Sequence, residues 1–261
     1  MKIKEFTFLA DKIAPLEIQE EWDNSGYQVV TDDKDITGIL IALDVTKEVI
    51  EEAVFKKANL IVTHHPLLFG EIKTIDYETG TGMLISQLIK NDISLYALHT
   101  PFDKVDKGNS FYLGNILNLK NMKRINDYSI VGDLSLEISF LGLIKYCSEE
   151  LEIPGNAISY IGDSDSLVNK VGICTGSGAE YIDDAIKNKC DVYITGDIKY
   201  HDAMRAKIEG FNLLDLGHYG TEKFFIENFF ELLVNELDLI GEYIPMYEFI
   251  ENSDPYKYLE N

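Results

Sequence analysis

Short apolar runs alternate with amphipathic stretches along this chain, and the alternation predicts strands and helices in turn. Apolar residues at positions 3, 6, 9 and 13 predict an amphipathic first helix. Residues 38–63 follow the pattern of a strand, a helix and a second strand, which is a βαβ unit. A helix rich in apolar residues over 83–89 then leads into a strand over 93–98. The first half of the chain therefore predicts an α/β fold.

The same pattern recurs at an offset of 132 residues. Ile39–Val45 aligns without a gap on Val171–Ser177, and Asn59–Thr63 aligns on Asp191–Thr195. A further apolar strand follows each copy, over 94–98 and over 212–216. We therefore predict two similar α/β domains that arose by internal duplication, with residues 1–125 in the first and 126–261 in the second.

The remaining segments fit the repeat less closely. Alternation over Ser135–Leu141 predicts extra antiparallel strands within residues 120–160. The second βαβ unit covers 168–195, and a long final helix runs from Thr221 to about Leu237. Another helix opens after Gly108, where Asn109 or Ser110 is the expected N-cap.

Composition narrows the function classes. The 261 residues are 46% apolar, enough for a substantial core, and 45 acidic against 23 basic residues give a formal charge of −22. This charge argues against nucleic acid or an anionic membrane as the main partner, because both would be repelled. No apolar run approaches the ~20 residues of a membrane span. The three cysteines are widely spaced without a C-x-x-C pair, which favours a reducing cytoplasm.

A histidine pair provides the sharpest chemical signal. His64 and His65 directly follow the apolar strand Asn59–Val62, and ligand sites in open α/β sheets lie at such strand ends. Pro66 biases His65 toward an extended backbone, so the two imidazoles should diverge. Diverging neighbours suit two ions side by side better than one chelated ion.

Two further strand ends carry an imidazole and a carboxylate four residues apart. His99 and Asp103 follow one strand, and His218 and Glu222 follow another. Imidazole with carboxylate is a ligand mixture that suits zinc, iron or manganese. We therefore predict a metal site at the C-terminal ends of the strands, between the two halves.

Three other features have less specific interpretations. The fifth histidine, His201, is expected in a supporting or surface position. Asp44 ends the first strand and either supports a metal ligand or caps the next helix. The turn Thr175–Gly178 resembles a phosphate-binding loop but lacks a third glycine and a Walker lysine, so tight strand-to-helix packing is the favoured interpretation.

Taken together, the motifs resemble the Nif-three-like family, whose members are labelled GTP cyclohydrolase 1 type 2 homologs or dinuclear metal centre proteins. The motifs that carry the resemblance are Trp22–Gly26, Thr63–Pro66, His99–Asp103, Thr195–His201 and Gly217–Glu222. The resemblance implies that two ions are held by His64, His65, Asp103, His218 and Glu222. It also implies that His99 lines the site, and that the assembly is a toroidal homohexamer.

These observations favour a cytoplasmic metal-dependent hydrolase that resembles GTP cyclohydrolase 1 type 2. A water activated between the two ions would be the nucleophile, and His99 would be the catalytic residue that shuttles a proton. The substrate would be a small molecule, and the family label names a nucleotide. A non-enzymatic metal chaperone or regulatory metal-binding protein uses the same ligands. An oligomeric scaffold in which metal staples the halves is a third alternative.

Overall fold

The computed structural model describes residues 1–250 and 254–259. The described helices are α1 Phe6–Ile13, α2 Lys47–Lys56, α3 Gly80–Lys90, α4 Thr100–Asp103, α5 Asn109–Ile116, α6 Phe140–Glu150, α7 Ile182–Lys187, α8 Tyr200–Glu209, α9 His218–Glu222 and α10 Phe225–Ile240. The described strands are β1 Gly26–Val29, β2 Ile39–Ala42, β3 Leu60–Thr63, β4 Ser94–Ala97, β5 Lys120–Arg124, β6 Ile130–Ser139, β7 Ser159–Ile161, β8 Leu167–Ser177, β9 Val192–Gly196, β10 Asn212–Asp215 and β11 Met246–Glu248.

The chain divides into two compact units. Unit 1 comprises residues 1–105 and 225–253, and unit 2 comprises residues 106–224 and 254–261. This division differs from the predicted ranges 1–125 and 126–261, because the C-terminal helix returns to the first unit. There α10 contacts α1 and β2, and β11 extends the sheet beside β2. Amphipathic periodicity shows that α10 buries a face but not which unit provides the partner surface.

Unit 1 is built on a sheet with the strand order β1-β4-β3-β2-β11. The central strands β2, β3 and β4 are parallel, β11 is parallel to β2, and β1 is antiparallel to β4. All four residues of β2, of β3 and of β4 are buried, as expected for parallel strands covered on both faces. The predicted βαβ unit over 38–63 is confirmed.

Unit 2 is built on a sheet with the strand order β5-β6-β8-β9-β10-β7. Strands β8, β9 and β10 are parallel, and β7 is antiparallel to β10. The two remaining strands, β5 and β6, add antiparallel pairs at the edge next to β8. They confirm the extra antiparallel strands expected between residues 120 and 160.

The internal duplication is visible in the topology of the two sheets. The order β1-β4-β3-β2 in unit 1 corresponds to β7-β10-β9-β8 in unit 2, with the same strand directions. Even a local backbone feature recurs at the 132-residue offset. Lys57 and Lys189 both adopt a left-handed conformation after their helices, with φ of 60° and 59°.

Two local predictions were wrong. The helix α5 begins at Asn109, and its N-cap residue Gly108 provides no side-chain cap. Ser110 instead donates its hydroxyl to the carbonyl of Tyr128 at 2.9 Å. The predicted final helix is divided into α9 and α10.

The described part of the chain contains no helix with both the length and the apolarity required to cross a membrane. The three cysteines are unbonded and buried. Burial raises the pKa of the Cys147 thiol to about 12.

Candidate metal centre

In unit 1, three histidines meet where two adjacent parallel strands end. His64 and His65 follow β3, and His99 follows β4 and is the N-cap residue of α4. Because the carboxyl ends of parallel strands meet at one edge, the rings come together there. One ring nitrogen from each of the three lies within 4.8 Å of those of the others. The structure therefore brings the rings of His64, His65 and His99 together within this unit.

Each imidazole of the histidine pair is oriented by an oxygen acceptor. His64 Nδ1 lies 2.8 Å from the carbonyl oxygen of Leu98, and His65 Nδ1 lies 2.9 Å from Asp44 Oδ1. A carbonyl oxygen can only accept, so Nδ1 of His64 carries the proton and Nε2 carries the lone pair. This arrangement is usual around histidines that bind metals.

A carboxylate lies beside the buried imidazole of His64. Asp103 closes the short helix α4, and its Oδ1 lies 3.6 Å from His64 Nε2. Two ligand atoms that each lie about 2.1 Å from one tetrahedral ion are roughly 3.4 Å apart. The separation therefore suits two ligands of one ion, and His64, which is fully buried, is fixed by packing against the ring of Phe225 at 4.9 Å.

Unit 2 contains a second imidazole–carboxylate pair. His218 and Glu222 lie one turn apart on α9, and His218 Nε2 is 2.9 Å from Glu222 Oε2. The other ring nitrogen, Nδ1, is 2.7 Å from Asp197 Oδ2. Asp197 follows β9 at the position that corresponds to His65 in the repeat. The sequence pattern predicted no role for Asp197, although the 132-residue offset marks it as a strand-end residue.

Gly176 makes room for the carboxylate of Glu222. Its φ is +64°, and a Cβ at this position would lie 2.1 Å from Glu222 Oε1 and 3.5 Å from His218 Cε1. Only a residue without a side chain allows Glu222 to keep its place. The Gly176 N–H donates to Thr221 Oγ1 at 2.9 Å, which ties the turn to α9.

Gly178, the other glycine of the turn Thr175–Gly178, also makes contacts within the fold. Gly178 donates its N–H to Thr195 Oγ1 at 2.9 Å. A Cβ on Gly178 would lie 2.6 Å from the Cβ of Cys174. These contacts support the packing interpretation of Thr175–Gly178, because both glycine N–H groups already have acceptors within the fold.

His99 is held by Asp23, whose side chain is buried and for which the sequence predicted no role. Asp23 Oδ1 lies 2.9 Å from His99 Nδ1, while Oδ2 accepts from the hydroxyls of Ser25 at 2.8 Å and Thr100 at 2.6 Å. Burial acts to raise the pKa of Asp23, but the hydrogen bonds from His99, Thr100 and Ser25 outweigh it and hold the pKa well below its usual range. An ionised Asp23 therefore fixes the Nδ1–H of His99.

The structure shows where Asp44 and His201 lie, two residues whose roles the sequence left open. Asp44 bonds His65, and the cap of α2 is instead Thr46, whose side chain accepts from the N–H of Val49. His201 lies exposed on α8 with its ring against Tyr200. The surface interpretation of His201 is confirmed.

Comparison with known proteins identifies the family. Residues 1–255 match the family described as Duf34/NIF3 (NGG1p interacting factor 3). The chain belongs to this family. A Clostridium perfringens protein named GTP cyclohydrolase 1 type 2 homolog is 37% identical, with 99% of this chain and 100% of that protein covered. A Clostridium acetobutylicum protein of the same name is 31% identical, with 99% of each covered.

A solved structure has the same fold. The crystal structure of Staphylococcus aureus protein SA1388 matches with a TM-score of 0.95 and 29% identity, and 99% of each chain is covered. The family resemblance and the duplicated α/β fold are thus confirmed. The histidine and carboxylate groups of the described residues can hold metal ions.

Proposed function

We propose that this protein is a metal-dependent hydrolase with a dinuclear centre. His64, His65 and Asp103 of unit 1 and His218 and Glu222 of unit 2 would hold two divalent ions. One observation carries the proposal. Nδ1 of each strand-end histidine lies within 2.9 Å of an oxygen acceptor, which is the arrangement around metal-binding histidines whose Nδ1 donates and whose Nε2 binds the metal.

The donor set favours zinc, iron or manganese, since it combines neutral imidazoles with carboxylates and contains no thiolate. Bound divalent ions lower the pKa of water from 15.7 to about 7 and polarise a substrate oxygen, which supplies a nucleophile at neutral pH. In this chain, Asp44 and Asp197 orient the ligands His65 and His218 by accepting from Nδ1.

His99 is assigned the proton transfer. Its ring lies 5.3 Å from that of His64 and 5.7 Å from that of His65. Asp23 fixes the Nδ1–H tautomer, which leaves Nε2 to accept a proton from the nucleophile and return it to the leaving group. An ionised aspartate that orients His99 goes beyond what a storage site requires, and it favours an enzyme.

A metal chaperone or regulatory metal-binding protein is the second candidate. The side chain of the proposed ligand His218 is 35% exposed, and exposed ligands exchange metal with solvent more readily than buried ones. The two candidates differ in what they require of His99. Only the hydrolase needs it for turnover.

The test is a His99→Ala variant beside His201→Ala, which removes an exposed histidine of the same chain. Both proteins are loaded with zinc, iron or manganese and assayed for metal content and for turnover of nucleotides, phosphoesters and amidines. The hydrolase predicts that His99→Ala keeps its metal and loses turnover, while His201→Ala keeps both. If no substrate turns over in the metal-loaded protein, the chaperone is the better account.

The substrate and assembly are part of the same proposal. GTP is the first substrate to assay, because the relatives carry the name GTP cyclohydrolase 1 type 2 homolog. The cytoplasm remains the proposed compartment, and a homohexamer remains the proposed assembly. Light scattering checks the assembly by giving a mass six times that of the chain.

A further inference from the structure

Two exposed aromatic rings flank His99 in unit 1. The ring centroids of Trp22 and Phe69 lie 5.7 Å and 5.6 Å from that of the imidazole, with interplanar angles of 73° and 89°. Trp22 is 61% exposed and Phe69 is 53% exposed. Large aromatic side chains usually bury most of their surface, so two exposed rings beside one candidate catalytic histidine call for an explanation.

The segments that carry these rings are joined by hydrogen bonds. Asn24 donates its side-chain N–H to the carbonyl of Leu68 at 2.6 Å, and the N–H of Leu68 donates to Gln28 Oε1 at 3.1 Å. The neighbouring residue Asp23 binds His99. The spacing of Trp22, Phe69 and His99 is therefore set by hydrogen bonds between their segments.

We propose that Trp22 and Phe69 bind a planar heteroaromatic ring of the substrate and place it beside His99. This proposal rests on the proposed function, since it names the substrate class of that same site. Stacking of a base on an aromatic side chain is favourable and requires no charge. It suits a chain with a formal charge of −22, in which a phosphate group alone would meet net repulsion.

Trp22 is the single tryptophan of the chain, so its fluorescence reports directly on this position. The experiment titrates metal-loaded and metal-free protein with guanosine, and with ribose 5-phosphate as a ligand without an aromatic ring. Excitation at the red edge of the indole band avoids absorption by the purine. Saturable quenching by guanosine and none by the sugar phosphate is the expected result, because only a stacked ring contacts the indole.

Phe69→Leu removes the second ring, and Phe55→Leu is the matched control. Phe55 is 75% exposed on α2 and belongs to the same unit. Phe69→Leu should weaken guanosine binding about tenfold, and Phe55→Leu should leave it unchanged. A Trp22→Leu variant, followed by calorimetry with its thermal melting as the check on folding, should show a similar loss.

The outcomes separate this proposal from the proposed function. Saturable ring binding in a protein that hydrolyses nothing supports the aromatic pair and overturns the hydrolase. Turnover of a substrate without any quenching by planar ligands overturns the aromatic pair and leaves the hydrolase standing. Equal guanosine affinity in Phe69→Leu and Phe55→Leu also overturns the aromatic pair.

Discussion

At the scale of single residues, the candidate centre is defined by how its imidazoles are held. The Nδ1 atoms of His64, His65 and His218 lie beside a backbone carbonyl or a carboxylate. Such acceptors fix the ring orientation and raise the basicity of the ligand nitrogen. The place of these histidines at strand ends could be predicted from the sequence. Their acceptors come from distant segments, which local patterns do not reveal.

Gly176→Ala should reduce metal binding by displacing Glu222. The added Cβ would lie 2.1 Å from Glu222 Oε1, so the carboxylate must move away. Gly210→Ala is the matched control, because its φ of +67° resembles the +64° of Gly176, whereas nothing lies within 4 Å of its Cβ. Both variants should lose about 1 kcal/mol of stability from the left-handed backbone.

Metal content by elemental analysis distinguishes the two glycine variants. Only Gly176→Ala should bind less metal than the parent protein. Equal metal content in both would show that the position of Glu222 does not matter for binding.

Asp23→Asn and Asp44→Asn form a second matched pair. Each removes the charge of one carboxylate beside a histidine Nδ1, at His99 and His65 respectively. Asp44→Asn should weaken metal affinity about 10–100-fold, because Asp44 orients the proposed ligand His65. Asp23→Asn should keep the metal affinity and lower turnover, because the His99 tautomer is no longer fixed.

Two measurements distinguish Asp23→Asn from Asp44→Asn. Competition with a chromophoric chelator gives the metal affinity, and the ¹⁵N shifts of the His99 ring give its tautomer. An equal loss of metal affinity in both variants would make His99 a ligand rather than the proton carrier.

At the scale of elements, the sequence predicts more of the strands than of the helix ends. The strands β2, β3, β8 and β9 are short buried apolar runs at a fixed offset, so their positions and the duplication could be predicted. The cap of α5 could not, since the hydroxyl of Ser110 is taken by the carbonyl of Tyr128, and the periodicity does not mark the break between α9 and α10. An amphipathic pattern likewise could not show that α10 packs in unit 1.

The repeated left-handed lysines give a prediction about stability. Lys57 and Lys189 follow α2 and α7 with φ near 60°, a conformation that costs a residue with a Cβ about 1 kcal/mol. Lys57→Gly and Lys189→Gly should therefore each increase the free energy of unfolding by roughly 0.5–1 kcal/mol. Urea denaturation measures the change. Lys56→Gly, inside α2, should instead decrease the free energy of unfolding by about 1 kcal/mol. A loss of stability in all three variants would contradict a strained backbone at Lys57 and Lys189.

At the scale of the whole molecule, two buried thiols make stability depend on pH. Burial raises the pKa of Cys147 to about 12 and that of Cys190 to about 11, whereas a thiol in an unfolded chain titrates near 8.5. At a pH between the unfolded and the folded pKa, the folded protein keeps a thiol proton that the unfolded chain releases. The stabilising contribution is complete below pH of about 8.5 and is lost as the pH rises toward the folded values.

Cys147→Ala isolates this effect. The variant should be less stable than the parent at pH 7 because it leaves a cavity. Between pH 7 and pH 10, however, its free energy of unfolding should fall by about 2 kcal/mol less than that of the parent. Urea denaturation at both pH values makes the comparison. An equal fall in the two proteins would contradict a buried neutral thiol.

The proposed dinuclear centre requires two metal ions per chain of this Duf34/NIF3 protein. Its most direct test is the metal-to-protein ratio of untagged protein by elemental analysis, measured beside Glu222→Ala and beside His201→Ala as the control. We predict about two ions per chain in the parent and in His201→Ala, and fewer in Glu222→Ala. A parent protein that is free of metal and cannot be loaded, or a Glu222→Ala variant with an unchanged ratio, would contradict the dinuclear centre.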